Sequence, residues 1–279
     1  MIFLDIELPS GFQSFLELNY AQTTIDTTRR HLKHAVAEGV DLDNRDSFRT
    51  WVQARRRQGA LDKTLNVYIK AFNRYLKYQG KTEIKKYREQ EGLVPRRATM
   101  EDYEKLIAAC KGATEERMIL VLNLLFKTGV RLGELHQLTL DSINQDIATV
   151  IGKGQKKGTL WISDSVRGAL SRWLRVRKDK HSSRKLFTSV FGEPLTYDGL
   201  RGDIFQLARR AGVHFSPHMA RRFYARWLYS QGFDLEQIRI AMRHKSLDVT
   251  KRYMQIDVDD NLAAFRAKKP DFFLGGVEA

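Results

Sequence analysis

Residues 115–138 read EERMILVLNLLFKTGVRLGELHQL, and the fold can be worked out from this stretch. Its first half, Glu115–Lys127, is almost entirely apolar after the first turn, which predicts a buried helix. Gly129 is expected to end that helix, and a short helix should follow around Leu132–Leu138. Arg131 lies between the two helices and could point into a cleft, although a surface arginine at a helix start remains an alternative.

A small β-sheet and several helices are expected on the C-terminal side of this stretch. The segments Ile147–Ile151 and Thr159–Ile162 are β-like, and the loop GKGQKKG joins them. Its Gly and Lys residues suit a hairpin tip, where the chain must turn. Helical patterns follow at Ser165–Val176, Thr196–Ala211, Pro217–Ser230 and Leu235–Met242.

More helices are predicted on the N-terminal side. A capping box at Thr99 and Asp102 begins a helix at Met100–Cys110. Four earlier helices, each with one apolar stripe, favour a small bundle; they are Gly11–Tyr20, Thr24–Glu38, Ser47–Gln58 and Asp62–Gln79. The sequence therefore predicts a helical domain over residues 1–90, a charged linker over residues 91–98 and a mainly α-helical domain with a small β-sheet over residues 99–279.

The chain is strongly basic, with a net charge of +15 and a pI of about 9.9. Residues 1–54 hold 5 Lys and Arg against 8 Asp and Glu, whereas residues 55–98 hold 13 against 4. This contrast favours a surface that faces nucleic acid over a basic surface kept for solubility. The one cysteine, Cys110, excludes an intrachain disulfide and is expected in the core. The absence of a signal-peptide or membrane-span pattern predicts a cytoplasmic protein with no membrane partner.

Two segments of the C-terminal domain could bind a phosphate. The hairpin loop offers three lysines that could reach a leaving oxygen or simply be solvated; they are Lys153, Lys156 and Lys157. Residues 218–221 read HMAR and put His218 and Arg221 on one face of a helix in its first turn. The exposed N–H groups and the dipole of that helix end favour a bound anion.

A third segment offers a nucleophile. Residues 243–255 read RHKSLDVTKRYMQ, with His244 nine residues before Tyr253. A lone tyrosine in such a helix is more often a core or interface residue. Metal-binding clusters of carboxylates and a P-loop are missing from the sequence. A phosphoryl-transfer site without a metal needs fixed cations and a protein nucleophile, and the two arginines, two histidines, lysine and tyrosine supply both.

These segments resemble the lambda-integrase family of tyrosine recombinases, which includes the Xer-type enzymes, and the resemblance spans about residues 10–265. TGVRLGEL resembles the first arginine box, IGKGQKKG the β-hairpin box, HMARRFYARWLYSQG the His-x-x-Arg box and RHKSLDVTKRY the last box. The resemblance assigns the catalytic residues as Arg131, Lys153, His218, Arg221, His244 and the nucleophile Tyr253. Two places depart from the family pattern: Met242-Arg243 replace a Leu-Gly, and Arg222 replaces a frequent His.

The resemblance implies a site-specific recombinase or integrase that needs neither metal nor ATP and closes around DNA as a two-domain C-shaped clamp. Tyr253 would form a 3′-phosphotyrosyl link, and strand exchange would pass through a Holliday junction. A tetramer on two DNA sites would be joined through a C-terminal tail from about residue 258, unless that tail packs on its own domain. A second recombinase or an accessory factor is a further possible partner, and the expected location is the cytoplasmic nucleoid.

A dozen basic residues are expected to contact the double-stranded DNA. They are Arg55, Arg56, Arg57, Lys63, Lys70, Lys77, Arg96, Arg97, Lys156, Lys157, Arg222 and Arg243. For Arg96 and Arg97, a solvated linker is the alternative. For the whole chain, the alternatives are a non-catalytic DNA-binding accessory protein of the same fold and a type IB topoisomerase-like enzyme.

Overall fold

The computed structural model describes residues 7–88, 96–143, 146–152, 156–180 and 182–253, without the side chains of residues 252 and 253. The chain divides into two compact units, an N-terminal unit over Met1–Leu93 and a C-terminal unit over Val94–Ala279. Each unit has its own apolar core. No helix in the described part of the chain is both long and apolar enough to cross a membrane.

The N-terminal unit is a bundle of four helices, as the apolar stripes predicted. They are α1 (Ser10–Asn19), α2 (Gln22–Ala37), α3 (Arg45–Arg57) and α4 (Asp62–Tyr78). Helix α4 packs against the other three. Its Phe72 stacks on Phe48 of α3 with ring centroids 4.0 Å apart, and both rings are buried. The aromatic and aliphatic stripe of α4 therefore organises this core.

The C-terminal unit contains eight more α-helices and one two-stranded sheet among its described residues. The elements are α5 (Met100–Ala108), α6 (Glu115–Thr128), α7 (Leu132–Gln137), β1 (Ile147–Ile151), β2 (Lys157–Trp161), α8 (Asp164–Val176), α9 (Tyr197–Arg210), α10 (Pro217–Ser230), α11 (Leu235–Ala241) and α12 (Leu247–Tyr253). This mainly helical architecture with a small sheet confirms the predicted fold class. Short 3₁₀ turns at Gly112–Thr114 and Leu140–Ser142 complete it.

Helix α6 is buried at the centre of the C-terminal unit, and its burial is what its composition predicted. It contacts α5, α7, α8 and α10, and its Leu120, Leu122 and Leu125 have no exposed surface. Cys110 lies in the same core with 6% of its surface exposed, and burial raises the pKa of its thiol to about 11. The predicted capping box of Thr99 and Asp102 begins α5.

Gly129 ends α6 because no other residue fits there. Its φ of 58° is left-handed, and a Cβ atom at this position would lie 2.6 Å from Cδ1 of Tyr224. The chain then turns sharply, so that Arg131 occupies the start of α7. The end of the buried helix thus fixes where Arg131 emerges.

The sheet is a hairpin whose second strand starts earlier than predicted. β1 and β2 pair antiparallel from Ile147 opposite Trp161 to Ile151 opposite Lys157. The expected start at Thr159 was therefore two residues late. Pairing with β1 extends the strand into the Lys and Gly residues, whose composition had indicated a loop.

Candidate active site

Two arginines from separate helices meet at one turn of the C-terminal unit. Arg221, in α10, is 1% exposed, and its guanidinium donates hydrogen bonds to the carbonyl oxygens of Gly129 and Met242. Arg131 donates to the carbonyl oxygen of Arg243 at 3.1 Å. Met242 and Arg243 are consecutive residues between α11 and α12, so both guanidinium groups lie beside the same turn.

Glu134 is the carboxylate of this site, and only 4% of its side chain is exposed. It accepts hydrogen bonds from the backbone N–H of Arg131 at 3.1 Å, from the Arg131 guanidinium at 2.6 Å and from the Arg243 guanidinium at 2.9 Å. Burial raises the pKa of this carboxyl, but the two guanidinium groups outweigh burial and lower the pKa below its ordinary value. Glu134 is therefore an ionised anchor for both arginines.

His218 lies in the first turn of α10 with its side chain partly exposed. Partial burial lowers the pKa of its imidazole, and so do the nearby guanidinium groups of Arg222, Arg221 and Arg131. His218 is thus neutral near pH 7 and can accept a proton. Its position on the same helix face as Arg221 is the one that the HMAR spacing predicted.

His244 is buried directly after the turn that holds the two arginines, with 4% of its surface exposed. Burial lowers the pKa of its imidazole to about 3, assisted by four guanidinium groups, those of Arg221, Arg131, Arg243 and Arg239. The ring is therefore neutral at physiological pH. Because Arg131 and Arg221 act on both histidines, these four predicted residues belong to one site.

Helix α12 carries Tyr253 as its last residue and is tied to the site through Thr250. The helix begins at Leu247, directly after Ser246. Thr250 has no exposed surface, and its Oγ1 lies 2.9 Å from Nδ1 of His244. Thr250 precedes Tyr253 by three residues, so the hydrogen bond holds the helix within one turn of the predicted nucleophile. The side chain of Tyr253 lies outside the described residues.

The β1–β2 hairpin approaches the same site at its base. Lys153, the predicted catalytic lysine, lies outside the described residues. The backbone N–H of Gly152 donates to the carbonyl oxygen of Lys156 at 2.8 Å. A Cβ atom on Gly152 would lie 3.7 Å from Oε1 of Glu134, which shows how closely the strand passes the carboxylate. Within the described ranges, no three His, Cys, Asp or Glu side chains form a group that could hold a metal ion.

Arg243 differs from its predicted role as a DNA contact. Its side chain is only 13% exposed, and its guanidinium points inward to Glu134. Burial lowers the pKa of this guanidinium, which the ion pair with Glu134 opposes. The sequence-based prediction assumed that a charged residue beside the site faces solvent, and the buried carboxylate overrides that expectation.

The other basic residues of the N-terminal unit fall into two groups. Arg55 is paired with Glu38 and stacks on Trp51, and Arg56 is paired with Asp62 at 2.8 Å. The remaining predicted contacts of this unit are exposed, and they are Arg57, Lys63, Lys70 and Lys77. The charge of the first group is thus partly neutralised within the protein.

In the C-terminal unit, the predicted DNA contacts differ in exposure. Lys156, Lys157 and Arg96 are exposed, and Arg96 lies 3.4 Å from Asp102. Arg97 and Arg222 are half-buried, and Arg222 donates to the carbonyl oxygen of Arg96 at 2.8 Å. Ala98 follows with no exposed surface and donates to the carbonyl oxygen of Met219 at 3.2 Å. Residues 96–98 therefore pack with the C-terminal unit.

Two contributions to the site were missed from the sequence. Thr250 supplies a buried hydroxyl, and the only available signal was its place three residues before Tyr253. Arg243 has a left-handed backbone with a φ of 54°, and its guanidinium donates a hydrogen bond to Glu134 inside the site. The sequence shows that Arg243 replaces a family glycine, but it does not predict the inward direction of the side chain.

Comparison with known proteins gives matches along the chain. The profile described as the Phage integrase family matches residues 96–259. Tyrosine recombinase XerA of Pyrococcus horikoshii is 26% identical over 281 residues, which cover 95% of each chain. Tyrosine recombinase XerC of Corynebacterium glutamicum is 33% identical over 154 residues, which cover 54% of this chain and 50% of that protein.

Solved structures share the fold at low sequence identity. The XerH site-specific recombinase bound to a palindromic difH substrate, in a post-cleavage complex, has a TM-score of 0.69 at 18% identity, with 94% of this chain and 85% of that chain covered. A lambda integrase dimer bound to a COC′ core site has a TM-score of 0.67 at 16% identity, with 89% and 95% covered.

Proposed function

The chain belongs to the phage integrase family and is a tyrosine recombinase, and we propose that it breaks and rejoins DNA at specific sites with Tyr253 as the nucleophile. The observation that carries this proposal is the meeting of Arg131 and Arg221 at the turn between α11 and α12. Two fixed guanidinium groups can hold the non-bridging oxygens of one phosphate and stabilise the charge that builds up there. The same turn leads into the helix that carries Tyr253.

The cleavage step uses the tyrosine oxygen as nucleophile and the 5′-oxygen of DNA as leaving group. The phenol oxygen of Tyr253 bonds to phosphorus while the bond from phosphorus to the 5′-oxygen breaks, which gives a 3′-phosphotyrosyl link. His218, whose lowered pKa keeps it neutral, accepts the phenol proton. Lys153 donates a proton to the departing 5′-oxygen, which becomes a hydroxyl.

His244 contributes a hydrogen bond rather than a charge. Its pKa of about 3 keeps the imidazole neutral throughout the pH range in which such an enzyme works. If the hydroxyl of Thr250 donates to Nδ1, the ring proton lies on Nε2 and can be donated to a phosphate oxygen. Arg131 and Arg221 then supply the positive charge around the phosphate, and the hydrogen bond from His244 orients it.

Strand exchange reverses the cleavage step with a different 5′-hydroxyl. The hydroxyl of a partner duplex attacks the phosphotyrosyl link and releases Tyr253, so the bond energy is conserved without ATP. Two such exchanges pass through a Holliday junction in a tetramer on two DNA sites. The tail from about residue 258 joins neighbouring subunits, and a second recombinase or an accessory factor can take one of the subunit positions.

DNA is held by basic side chains of both units. The exposed basic side chains are the ones that face the phosphates, and they are Arg57, Lys63, Lys70, Lys77, Arg96, Lys156 and Lys157. Four further arginines contact DNA phosphates after they leave their present partners; they are Arg55, Arg56, Arg97 and Arg222. The place of action is the cytoplasmic nucleoid, where the DNA lies.

The test begins with the DNA that the protein attacks in cells. Covalent protein–DNA adducts are isolated and sequenced, and the recovered site is rebuilt with a nick next to the cleavage point so that cleaved DNA cannot be rejoined. The wild-type protein should accumulate a covalent adduct on this substrate, and the matched variant Tyr253→Phe should bind the DNA and form none.

Three results would contradict the proposal. Adduct from Tyr253→Phe would put the nucleophile elsewhere. Specific binding without adduct from the wild-type protein would favour a non-catalytic accessory protein. Relaxation of a supercoiled plasmid that lacks the recovered site would favour a type IB topoisomerase-like enzyme.

A further inference from the structure

Arg243 occupies a backbone conformation that favours glycine. Its φ is 54°, in the left-handed region that residues with a Cβ atom rarely adopt. It stands between α11 and α12, directly before His244. A strained arginine at such a place needs contacts that hold it there.

The guanidinium of Arg243 bridges three parts of the C-terminal unit. It donates to Oε2 of Glu134 at 2.9 Å, to the carbonyl oxygen of Ala241 at 2.9 Å and to the carbonyl oxygen of Thr159 at 3.5 Å. These acceptors belong to α7, to α11 and to β2. One side chain therefore connects the hairpin with the carboxylate that holds Arg131.

Gly158, in strand β2 of the hairpin, leaves space for the side chain of Arg243. A Cβ atom on Gly158 would lie 2.4 Å from Cδ and 3.3 Å from Cγ of Arg243, which is too close for any side chain. The φ of Gly158 is not among the left-handed ones, so its backbone alone does not require glycine. The glycine is required here by the close approach of Arg243.

We propose that Arg243 is a positioning residue, which locks the β1–β2 hairpin to Glu134 and thereby holds Arg131 in its catalytic orientation. The inference rests on the proposed function, since it assumes that Arg131 binds the scissile phosphate. Arg243 touches neither substrate nor reacting atoms in this role. It acts through Glu134, which receives hydrogen bonds from both arginines.

Removing Arg243 should also change the charge balance at Glu134. The described charged groups that face this carboxylate are Arg131, from its own helix, and Arg243, from the turn after α11. The neighbouring strand end presents Gly152, which carries no charge. Without Arg243, only the guanidinium and the backbone N–H of Arg131 oppose the effect of burial, so the pKa of Glu134 rises and the carboxylate is protonated at a higher pH.

The experiment is a double-variant cycle on the full chain with the nicked substrate described above. The variants are Arg243→Gly, Gly158→Ala, the two combined, and Arg243→Lys. The measurements are the rate of adduct formation at saturating DNA, the Kd for DNA and the dependence of the rate on pH. Thermal unfolding shows whether each variant is folded.

Arg243→Gly should slow adduct formation by about 10- to 100-fold with the Kd changed by less than about 3-fold, since the guanidinium points inward to Glu134. The acidic limb of its rate profile should move to higher pH. Gly158→Ala alone should lower the rate of adduct formation, because its methyl group displaces Arg243. When it is added to Arg243→Gly, the rate should fall no further. Arg243→Lys should stay slow, since a single ammonium cannot span the three acceptors.

Two results would overturn the inference. One is a wild-type rate and pH profile for Arg243→Gly. The other is an equal effect of Gly158→Ala with and without Arg243. If Arg243→Gly does not fold, a wild-type rate of adduct formation for Gly158→Ala alone overturns the inference in its place. A wild-type protein that forms no adduct would instead refute the proposed function, and that outcome is distinct from both.

Discussion

Thr250 and His244 are joined by a hydrogen bond of 2.9 Å between Oγ1 and Nδ1, and both side chains are buried. This bond connects the loop that contains His244 to the middle of α12. It therefore fixes two things that the proposed chemistry needs, the ring position of the histidine and the position of the helix that ends at Tyr253.

Replacing Thr250 with Val should slow adduct formation by about 10-fold, because the loss of a buried hydrogen-bond partner costs about 1–3 kcal/mol. DNA affinity should be unchanged, since Thr250 has no exposed surface. Rate and Kd are measured on the nicked substrate. Thr250→Ser keeps the hydroxyl and is the matched control, so equal rates for the Val and Ser variants would contradict this role.

His244 should make the folded protein sensitive to mild acid. Folding lowers the pKa of its imidazole from 6.5 to about 3, so the unfolded chain binds the proton more tightly. Stability is thus fully present above pH 6.5 and falls as the pH falls from 6.5 toward 3, with a loss of about 2 kcal/mol by pH 5.

Urea unfolding at pH 7.5 and pH 5 measures this loss. His244→Asn removes the titrating group, so its loss of stability between the two pH values should be smaller by about that amount. The lowered pKa of His218 also reduces the folding stability at pH 5, but it does so in both proteins and cancels in the comparison. An identical loss in wild type and variant would show that His244 is not the group responsible.

Arg131→Ala should reduce adduct formation by about 100- to 1,000-fold, the usual effect of removing a group that stabilises developing charge. DNA binding should stay within about 3-fold, because many other phosphate contacts remain. Single-turnover cleavage and equilibrium binding on the same DNA give both numbers. Cleavage at the wild-type rate would mean that Arg131 does not contact the scissile phosphate.

Arg57 should matter more than Arg55 for the salt dependence of DNA binding. Arg57 is exposed, whereas Arg55 is already paired with Glu38. Each phosphate contact contributes a slope of about 0.9 in log K against log salt concentration. Arg57→Ala should therefore lower the slope by nearly that amount, and Arg55→Ala, the matched control, by less. An unchanged slope for Arg57→Ala would place the DNA on another surface.

The elements of the fold could be predicted because their signals are local. The apolar run of α6, the left-handed Gly129 and the capping box at Thr99 each depend on neighbours in sequence. His218 and Arg221 share a helix face for the same reason. Family resemblance then identified which of many basic residues belong together, which no local pattern could do.

The inward direction of Arg243 could not be predicted because it depends on distant partners. Its acceptor on Glu134 is 109 residues away, and the glycine that makes room for it lies on β2. Charge alone suggested a solvent-facing side chain. The buried hydroxyl of Thr250 was missed for a similar reason, since its burial follows from packing around His244 rather than from the pattern of α12.

Arg221 places a positive charge in the interior of the C-terminal unit, where 1% of its surface is exposed. Burial of such a group costs several kcal/mol of hydration free energy, and its hydrogen bonds to the carbonyl oxygens of Gly129 and Met242 offset part of that cost. A change such as Arg221→Met would remove the charge but leave both carbonyl oxygens without their donor. The buried cation therefore costs the protein folding free energy. Under the proposed function, the same guanidinium is already in position and binds a phosphate without rearrangement.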